Sequence, residues 1–190
     1  MTLPKDIIKN ILSDYIEYDQ LQELIKYIPY LKLNPKRIKI EVNESRSYHQ
    51  KVIYIDHNIQ RKIHSTIDGN KILDVSDKDG VLDGKMFKWY ENGNLISEEN
   101  YKNGKEVGLQ LFWYENGQLE SKMNYENGEF EGKQYAWYEN GNPDFIENFK
   151  NGKLDGTQLN WRENGIFNYS VKYNNGEIIR DSVEYKLIDL

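Results

Sequence analysis

Residues 89–104 read Trp-Tyr-Glu-Asn-Gly-Asn-Leu-Ile-Ser-Glu-Glu-Asn-Tyr-Lys-Asn-Gly, and the same skeleton returns at 113–128, 137–152 and 161–176. The Trp-Tyr-Glu-Asn-Gly pentapeptide recurs every 24 residues and becomes Trp-Arg-Glu-Asn-Gly at 161–165. A second series, ending in Gly104, Gly128, Gly152 and Gly176, and a third, Gly84, Gly108, Gly132 and Gly156, keep the same spacing. Three phase-locked series mark an internal repeat, in which each unit buries its apolar side chains by stacking on the next. The repeat extends backwards in weaker form through Ile67-Asp-Gly-Asn70 and Asp77-Lys-Asp-Gly80. Forwards, it places Val183 and Tyr185 in register with Leu159 and Trp161.

Two Asn-Gly turns half a repeat apart are the signature of successive β-hairpins. A three-residue Glu91-Asn92-Gly93 loop sets Trp89 opposite Leu95, whereas a two-residue loop would pair Trp113 with Glu120 and Trp137 with Asp144. The three-residue loop is therefore preferred. Strict alternation from it puts Phe87, Trp89, Leu95 and Tyr101 on one face. The next repeats add Leu111, Trp113, Leu119, Met123 and Tyr125; Tyr135, Trp137, Pro143, Phe145 and Phe149; and Leu159, Trp161, Phe167, Tyr169, Val171 and Tyr173. The opposite face collects Lys88, Glu98, Asn100, Glu120, Lys122, Asn124, Asp144, Asn148, Asn160 and Lys172. Leu82, Phe130 and Leu154 break the alternation just before Gly84, Gly132 and Gly156, which predicts a bulge there.

The motifs Trp-Tyr-Glu-Asn-Gly-Gln/Asn and Tyr-x-Asn-Gly-Lys-x-x-Gly resemble the MORN-repeat family in its variant form, over about residues 61–187. The shorter Tyr-x-Gly-x-Trp/Phe core of conventional MORN repeats is missing. The resemblance implies a mainly β fold, an elongated single-layer antiparallel β-meander of 24-residue hairpin repeats. It also implies a role in protein contacts or assembly, with no catalytic residues to carry over.

Residues 1–33 differ. Ile7, Ile8, Ile11, Leu12, Tyr15 and Ile16 follow helical spacing, with Thr2 as cap and Pro4 in the first turn. Asp19 caps a second helix carrying Leu21, Leu24, Ile25 and Ile28, which Pro29 stops. The expectation is a short two-helix amino-terminal cap. Leu3-Pro4-x-Asp6-Ile7-x-x-x-Ile11-Leu12, followed by Leu21 and Leu24, also resembles the first part of an F-box. That resemblance implies docking on the adaptor subunit of a cullin ubiquitin ligase through Leu3, Pro4, Ile7, Ile11 and Leu12. It covers about 30 residues and lacks the later Trp-containing part, and a plain helical cap is the competing reading. The chain thus divides into a helical, F-box-like segment (1–33), connecting strands (34–60) and a repeat domain (61–190).

Charge and composition narrow the function. The net charge of −6 divides as −1 over residues 1–33, +2 over 34–59 and −7 over 60–190. An acidic body repels phosphate backbones, which argues against nucleic acid. No run of about 18 apolar residues exists for membrane insertion. The absence of cysteine removes disulfides and thiol chemistry. His49, His57 and His64 form no HxH or HExxH spacing, so neither a metal nor another cofactor is expected. Glu91, Glu115, Glu139 and Glu163 sit at equivalent turn tips, which cannot supply the contrasting environments of an acid/base pair. The start of the chain lacks the pattern of a signal peptide, so a cytoplasmic protein is expected. Asn, Ile, Lys and Tyr abound, as in AT-rich genomes. Proteins joining an F-box-like start to MORN-type repeats are found in large DNA viruses of protists, which would place this one in host cytoplasm or virion.

The expected function is a non-enzymatic scaffold that binds a protein partner through Trp89, Trp113, Trp137, Trp161 and Tyr125. Self-association is a further option. The alternatives are a substrate receptor of a cullin ubiquitin ligase, or an antitoxin or immunity protein that binds a basic toxin.

Overall fold

The turns organise the whole chain. In the computed structural model, which describes residues 39–44, 49–56, 59–66, 69–180 and 184–185, tight turns reverse the chain between long strands, and the two-residue strands run on in the same direction into the next strand. The strands are β1 (Lys39–Glu44), β2 (His49–Asp56), β3 (Ile59–Ser65), β4 (Lys71–Lys78), β5 (Val81–Trp89) and β6 (Leu95–Lys102). Next come β7 (Lys105–Glu106), β8 (Gly108–Trp113), β9 (Leu119–Glu126), β10 (Glu129–Phe130), β11 (Gly132–Trp137) and β12 (Pro143–Lys150). The series ends with β13 (Lys153–Leu154), β14 (Gly156–Trp161), β15 (Phe167–Asn174), β16 (Glu177–Ile178) and β17 (Glu184–Tyr185). All pairings are antiparallel and join a strand to the next or the next but one in sequence, so the fold is a single antiparallel β-meander. The expected helices over residues 1–33, with Leu3, Pro4, Ile7, Ile11 and Leu12, lie outside the described residues.

Two kinds of turn alternate. At Glu91-Asn92-Gly93 the Tyr90 amide donates to the Asn94 carbonyl (2.8 Å) and the Gly93 amide to the Tyr90 carbonyl (3.0 Å). This three-residue loop needs a left-handed glycine, and Gly93 has φ 88°. Trp89 then pairs with Leu95, as the sequence predicts. The same bonds recur at Thr66–Asn70, so the decayed repeat upstream is real. The other turn is a two-residue Asn-Gly hairpin with both residues left-handed, as at Asn103 (φ 49°) and Gly104 (φ 78°).

One extra residue changes the faces. Lys88 pairs with Ser97 and Trp89 with Leu95, so Ile96 is bulged; Glu120, Asp144 and Asn168 repeat the event. A bulge reverses the alternation for the rest of the returning strand, because the side-chain period is two. Strict alternation from the turn is therefore wrong beyond Leu95. Tyr101, Met123, Tyr125, Phe145, Phe149, Tyr169, Val171 and Tyr173 lie on the face opposite the tryptophans. Glu98, Asn100, Lys122, Asn124, Asn148 and Lys172 join the tryptophan face instead. A continuous row there runs Phe87, Glu98, Leu111, Lys122, Tyr135, Ile146, Leu159 and Ser170.

The irregularity expected ahead of Gly132 and Gly156 is present, Gly108 shares it, and β5 runs unbroken through Gly84. The strand breaks at Val107, Glu131 and Asp155, and Gly108, Gly132 and Gly156 take φ of 65°, 73° and 101°. Across each break the amide of Val107, Glu131 or Asp155 still donates to the carbonyl of an asparagine on the neighbouring strand, but the asparagine amide turns to a side chain. A buried glutamine supplies it. Gln110 accepts from the Asn100 amide (2.5 Å) and donates to the Asn100 carbonyl (2.8 Å). Gln134 does the same for Asn124 (2.6 and 3.0 Å), and Gln158 for Asn148 (2.7 and 3.1 Å). Gln110 and Gln134 are each 1% exposed, and these polar side chains are as much the core as Val75, Met86, Ala136 and Val171.

Repeats are clasped along both edges. At the three-residue tips, Tyr90, Tyr114 and Tyr138 donate their hydroxyls to the carbonyls of Trp113, Trp137 and Trp161 (3.1, 2.8 and 3.0 Å). At the Asn-Gly tips, the Gly104, Gly128, Gly152 and Gly176 amides donate to carbonyls of the preceding repeat, Leu82, Glu106, Phe130 and Leu154. A buried Arg61–Asp74 ion pair ties β3 to β4. The downstream end departs from the period. Tyr169 pairs with Tyr185, where a 24-residue register would select Glu184, so Tyr185 is not equivalent to Trp161. The Gly-x-Gln of the other repeats reads Arg180-Asp181-Ser182 here, which removes both the left-handed glycine and the glutamine.

Two substitutions test these devices. Gln134→Leu should cost about 1–3 kcal/mol in urea unfolding, because it leaves the Asn124 amide unpaired, while the Asn124 carbonyl keeps the Glu131 amide. The exposed neighbour Lys133→Ala should stay within about 0.5 kcal/mol. Gly117→Val, at φ 85°, should cost about 1–3 kcal/mol through backbone strain alone, since a Cβ there meets nothing closer than 3.6 Å. An unchanged melting temperature for it would contradict the assigned loop.

Candidate interaction surfaces

The tryptophan face carries one tryptophan from each of four consecutive hairpins. Trp89, Trp113, Trp137 and Trp161 are all half-buried, and each faces Leu95, Leu119, Pro143 or Phe167 across its hairpin. Phe87 stacks on Trp89 (5.9 Å between centroids) and Tyr135 on Trp137 (6.0 Å), while Trp161 meets Phe167 edge-on at 5.8 Å. Cations lie over this surface: Lys71 over Trp89 at 5.5 Å, Lys85 over Phe87 at 5.5 Å and Lys122 over Tyr135 at 6.0 Å. Amphipathic aromatics of this kind dominate interface energetics, and among the described residues no second layer covers them.

The three-residue tips form an acidic rim. Glu91, Glu115, Glu139 and Glu163 are exposed there. Burial and then the carboxylates of Glu120, Glu115 and Glu139 hold the Tyr90 hydroxyl above its ordinary pKa. Burial followed by Glu120, Asp144, Glu139 and Glu163 acts likewise on Tyr114. These tyrosines stay neutral donors to the tryptophan carbonyls.

Tyr125, expected beside the tryptophans, lies on the other face, where its ring is 4.6 Å from Phe130, which is itself 5.0 Å from Phe149. The same face carries a buried carboxylate. Glu99, 6% exposed, accepts from Ser97 (2.6 Å), Tyr101 (2.6 Å) and Lys88 (3.1 Å). Burial alone would raise its pKa, but these three donors and the lysine charge outweigh it and leave the net shift downward. Burial and the bond to Glu99 push the Tyr101 hydroxyl far above its ordinary range.

Hydrophobic pattern does not reveal Glu99 or the buried glutamines, because a polar side chain adds nothing to an apolar periodicity. The signal was present: Gln110, Gln134 and Gln158 recur 24 apart, two residues after a left-handed glycine. Of the histidines, His64 lies beside the Gln50 amide at 3.1 Å, and His57 lies outside the described residues. Among the described residues no three His, Asp or Glu side chains converge on a metal-sized site.

Glu99 makes folding pH-dependent. A carboxyl held below the ordinary 4.5 stabilises the fold fully above that value and loses the contribution as pH falls through its folded pKa. Glu99→Gln should therefore lower the denaturation midpoint at pH 7, with the deficit shrinking below pH 4.5. A deficit of the same size at every pH would contradict an ionised Glu99.

Comparison with known proteins agrees with this geometry. No curated protein matches the chain significantly. Among solved structures it is similar to one titled "Crystal Structure of TarM", at 16% identity over 78% of this chain and 26% of that one. The TM-score of 0.22 is too low to relate the two folds or their activities. Residues 82–103, 106–127 and 130–151 each match the family described as "MORN repeat variant", so three tandem repeats of that variant occupy the centre of the sheet.

Proposed function

We propose that the protein is a non-enzymatic scaffold whose tryptophan face binds a protein partner. MORN repeats are generally interaction modules, which supports the class of activity. The observation that carries the reading is the repetition, on one face of four consecutive hairpins, of a half-buried tryptophan paired with Leu95, Leu119, Pro143 or Phe167. Aromatic anchors on a rigid sheet lose little conformational entropy when they are covered, so they suit an interface better than the flexible lysines beside them.

A second reading, neutralisation of a basic protein such as a toxin, is favoured by the acidic rim and by the net charge of −6. Such a complex would form quickly at low salt and weaken as salt rises. The ligase-receptor reading rests on Leu3, Pro4, Ile7, Ile11 and Leu12 alone, and would add a cullin adaptor as partner.

Trp113→Ala and Trp137→Ala, on the middle rungs, should each cost the partner complex about 2 kcal/mol or more, whereas the exposed Lys153→Ala should cost little. Binding and unfolding are measured on the same proteins, because a core tryptophan would cost about 3–5 kcal/mol of stability on truncation. Normal folding with lost binding supports the open face. Normal folding with normal binding rules it out.

A further inference from the structure

The 24-residue repeat contains an internal comparison. Glu147 stands 48 residues after Glu99 and occupies the same register position two repeats on. The three donors that hold Glu99, namely Lys88, Ser97 and Tyr101, become Ala136, Phe145 and Phe149. Register keeps all of them on the same face: Gln134 pairs with Glu147, Ala136 with Phe145 and Gly132 with Phe149. Gln134 cannot substitute as a donor, because its amide is spent on the Asn124 backbone and the Glu131 and Gly132 carbonyls. Glu147 thus keeps the register position of Glu99, half-buried where Glu99 is buried, without any of its partners. The one charge acting on it is the like charge of Asp144, which adds to burial in raising its pKa.

A half-buried carboxylate without a donor is destabilising, and the fold does not need one here. The same position holds Met123 one repeat earlier and Val171 one repeat later. What surrounds Glu147 instead is aromatic: Phe145 and Phe149 flank it along the strand, with Phe130 against Phe149 at 5.0 Å. All four side chains are half-buried, so they are reachable from solvent. An anion set among ring faces is the arrangement that accepts an organic cation, since the rings take the apolar stem and attract the charge while the carboxylate pairs with the head.

We propose that Glu147, Phe145, Phe149 and Phe130 form a receptor for a lysine or arginine side chain of a basic protein segment. The acidic body of the chain complements such a segment. This extends the scaffold reading to a second face, and its biological meaning rests on that reading.

The test is an NMR titration of the full chain, labelled at Glu and Phe side chains. The probes are the capped tripeptides Gly-Lys-Gly and Gly-Arg-Gly, with Gly-Gln-Gly as control. Saturable shifts at Glu147 and Phe149 are expected with the basic probes and not with the control. The Glu147 carboxyl should also titrate at lower pH when a basic probe is present, which a merely structural role would not produce. Glu147→Met, the residue native to this position one repeat earlier, should fold and should weaken the probe by about tenfold or more. Glu147→Gln, with the same volume, serves if the methionine variant melts early, and Glu99→Gln should leave the titration unchanged. The absence of saturable shifts, or affinity unaltered by loss of the Glu147 charge, would overturn the site. Either result would leave the scaffold reading standing, because the tryptophan variants probe the opposite face.

Discussion

A carboxamide inserted into a broken ladder is the interaction on which the rest of the sheet depends. Each repeat breaks its strand at the residue before Gly108, Gly132 or Gly156; the amide of that residue still donates to the carbonyl of the facing asparagine, but the asparagine amide has to be met by a side chain. Gln110 and Gln134 are 1% exposed and Gln158 5%, so without these side chains the asparagine amides would stay unpaired at a cost of about 1–3 kcal/mol each. With the glutamine in place the break becomes a repeatable joint. The glycine beside it supplies the left-handed backbone and the asparagine opposite keeps its strand straight. Its side chain also bonds back, Asn100 to the Leu109 carbonyl and Asn124 to that of Glu131.

Because the joint is identical in each repeat, stacking is a nearest-neighbour problem. Tyr90, Tyr114 and Tyr138 hold one edge, the amides of the Asn-Gly turns hold the other, and every clasp joins a repeat only to the next. The series stops where its chemistry stops. Arg162 stands in the tyrosine position, reaching Asn168 within its own hairpin at 3.3 Å, and beyond it Arg180 replaces the glycine. Upstream, the asparagine-glutamine joint gives way to ion pairs, Arg61 with Asp74 and Lys62 with Asp77 at 2.8 Å. The two ends of the sheet are therefore built by different means from its middle.

A repeating backbone also frees its side chains to diverge. Val75, Glu99, Met123, Glu147 and Val171 share one register position. At Glu99 the neighbours make an anion comfortable and lower its pKa. At Glu147 they do not, and its pKa rises. Equivalent position does not mean equivalent environment, which qualifies the argument that repeated carboxylates must behave alike. That argument holds for the exposed tips at Glu91, Glu115, Glu139 and Glu163, where solvent equalises the surroundings, and fails on a face where three neighbours can change at once.

The period, the places of both turns, the three-residue loop, the pairing of Trp89 with Leu95 and the break ahead of Gly132 and Gly156 were legible in the amino-acid sequence. Each depends on local chemistry, on a left-handed glycine or asparagine and on residues a few positions away. The assignment of faces beyond Leu95 was not legible. Alternation has a period of two, so a single bulged residue, Ile96, moves Tyr101 to the other side, and the same event at Glu120 moves Tyr125. Whether that residue is bulged depends on how the returning strand pairs with β8 or β11 as well as with its own hairpin partner, which is a contact between repeats. The burial of Gln134 and the isolation of Glu147 are decided in the same way. Their polarity is written in the sequence, but the partners that satisfy one and desert the other are assembled only when the strands come together.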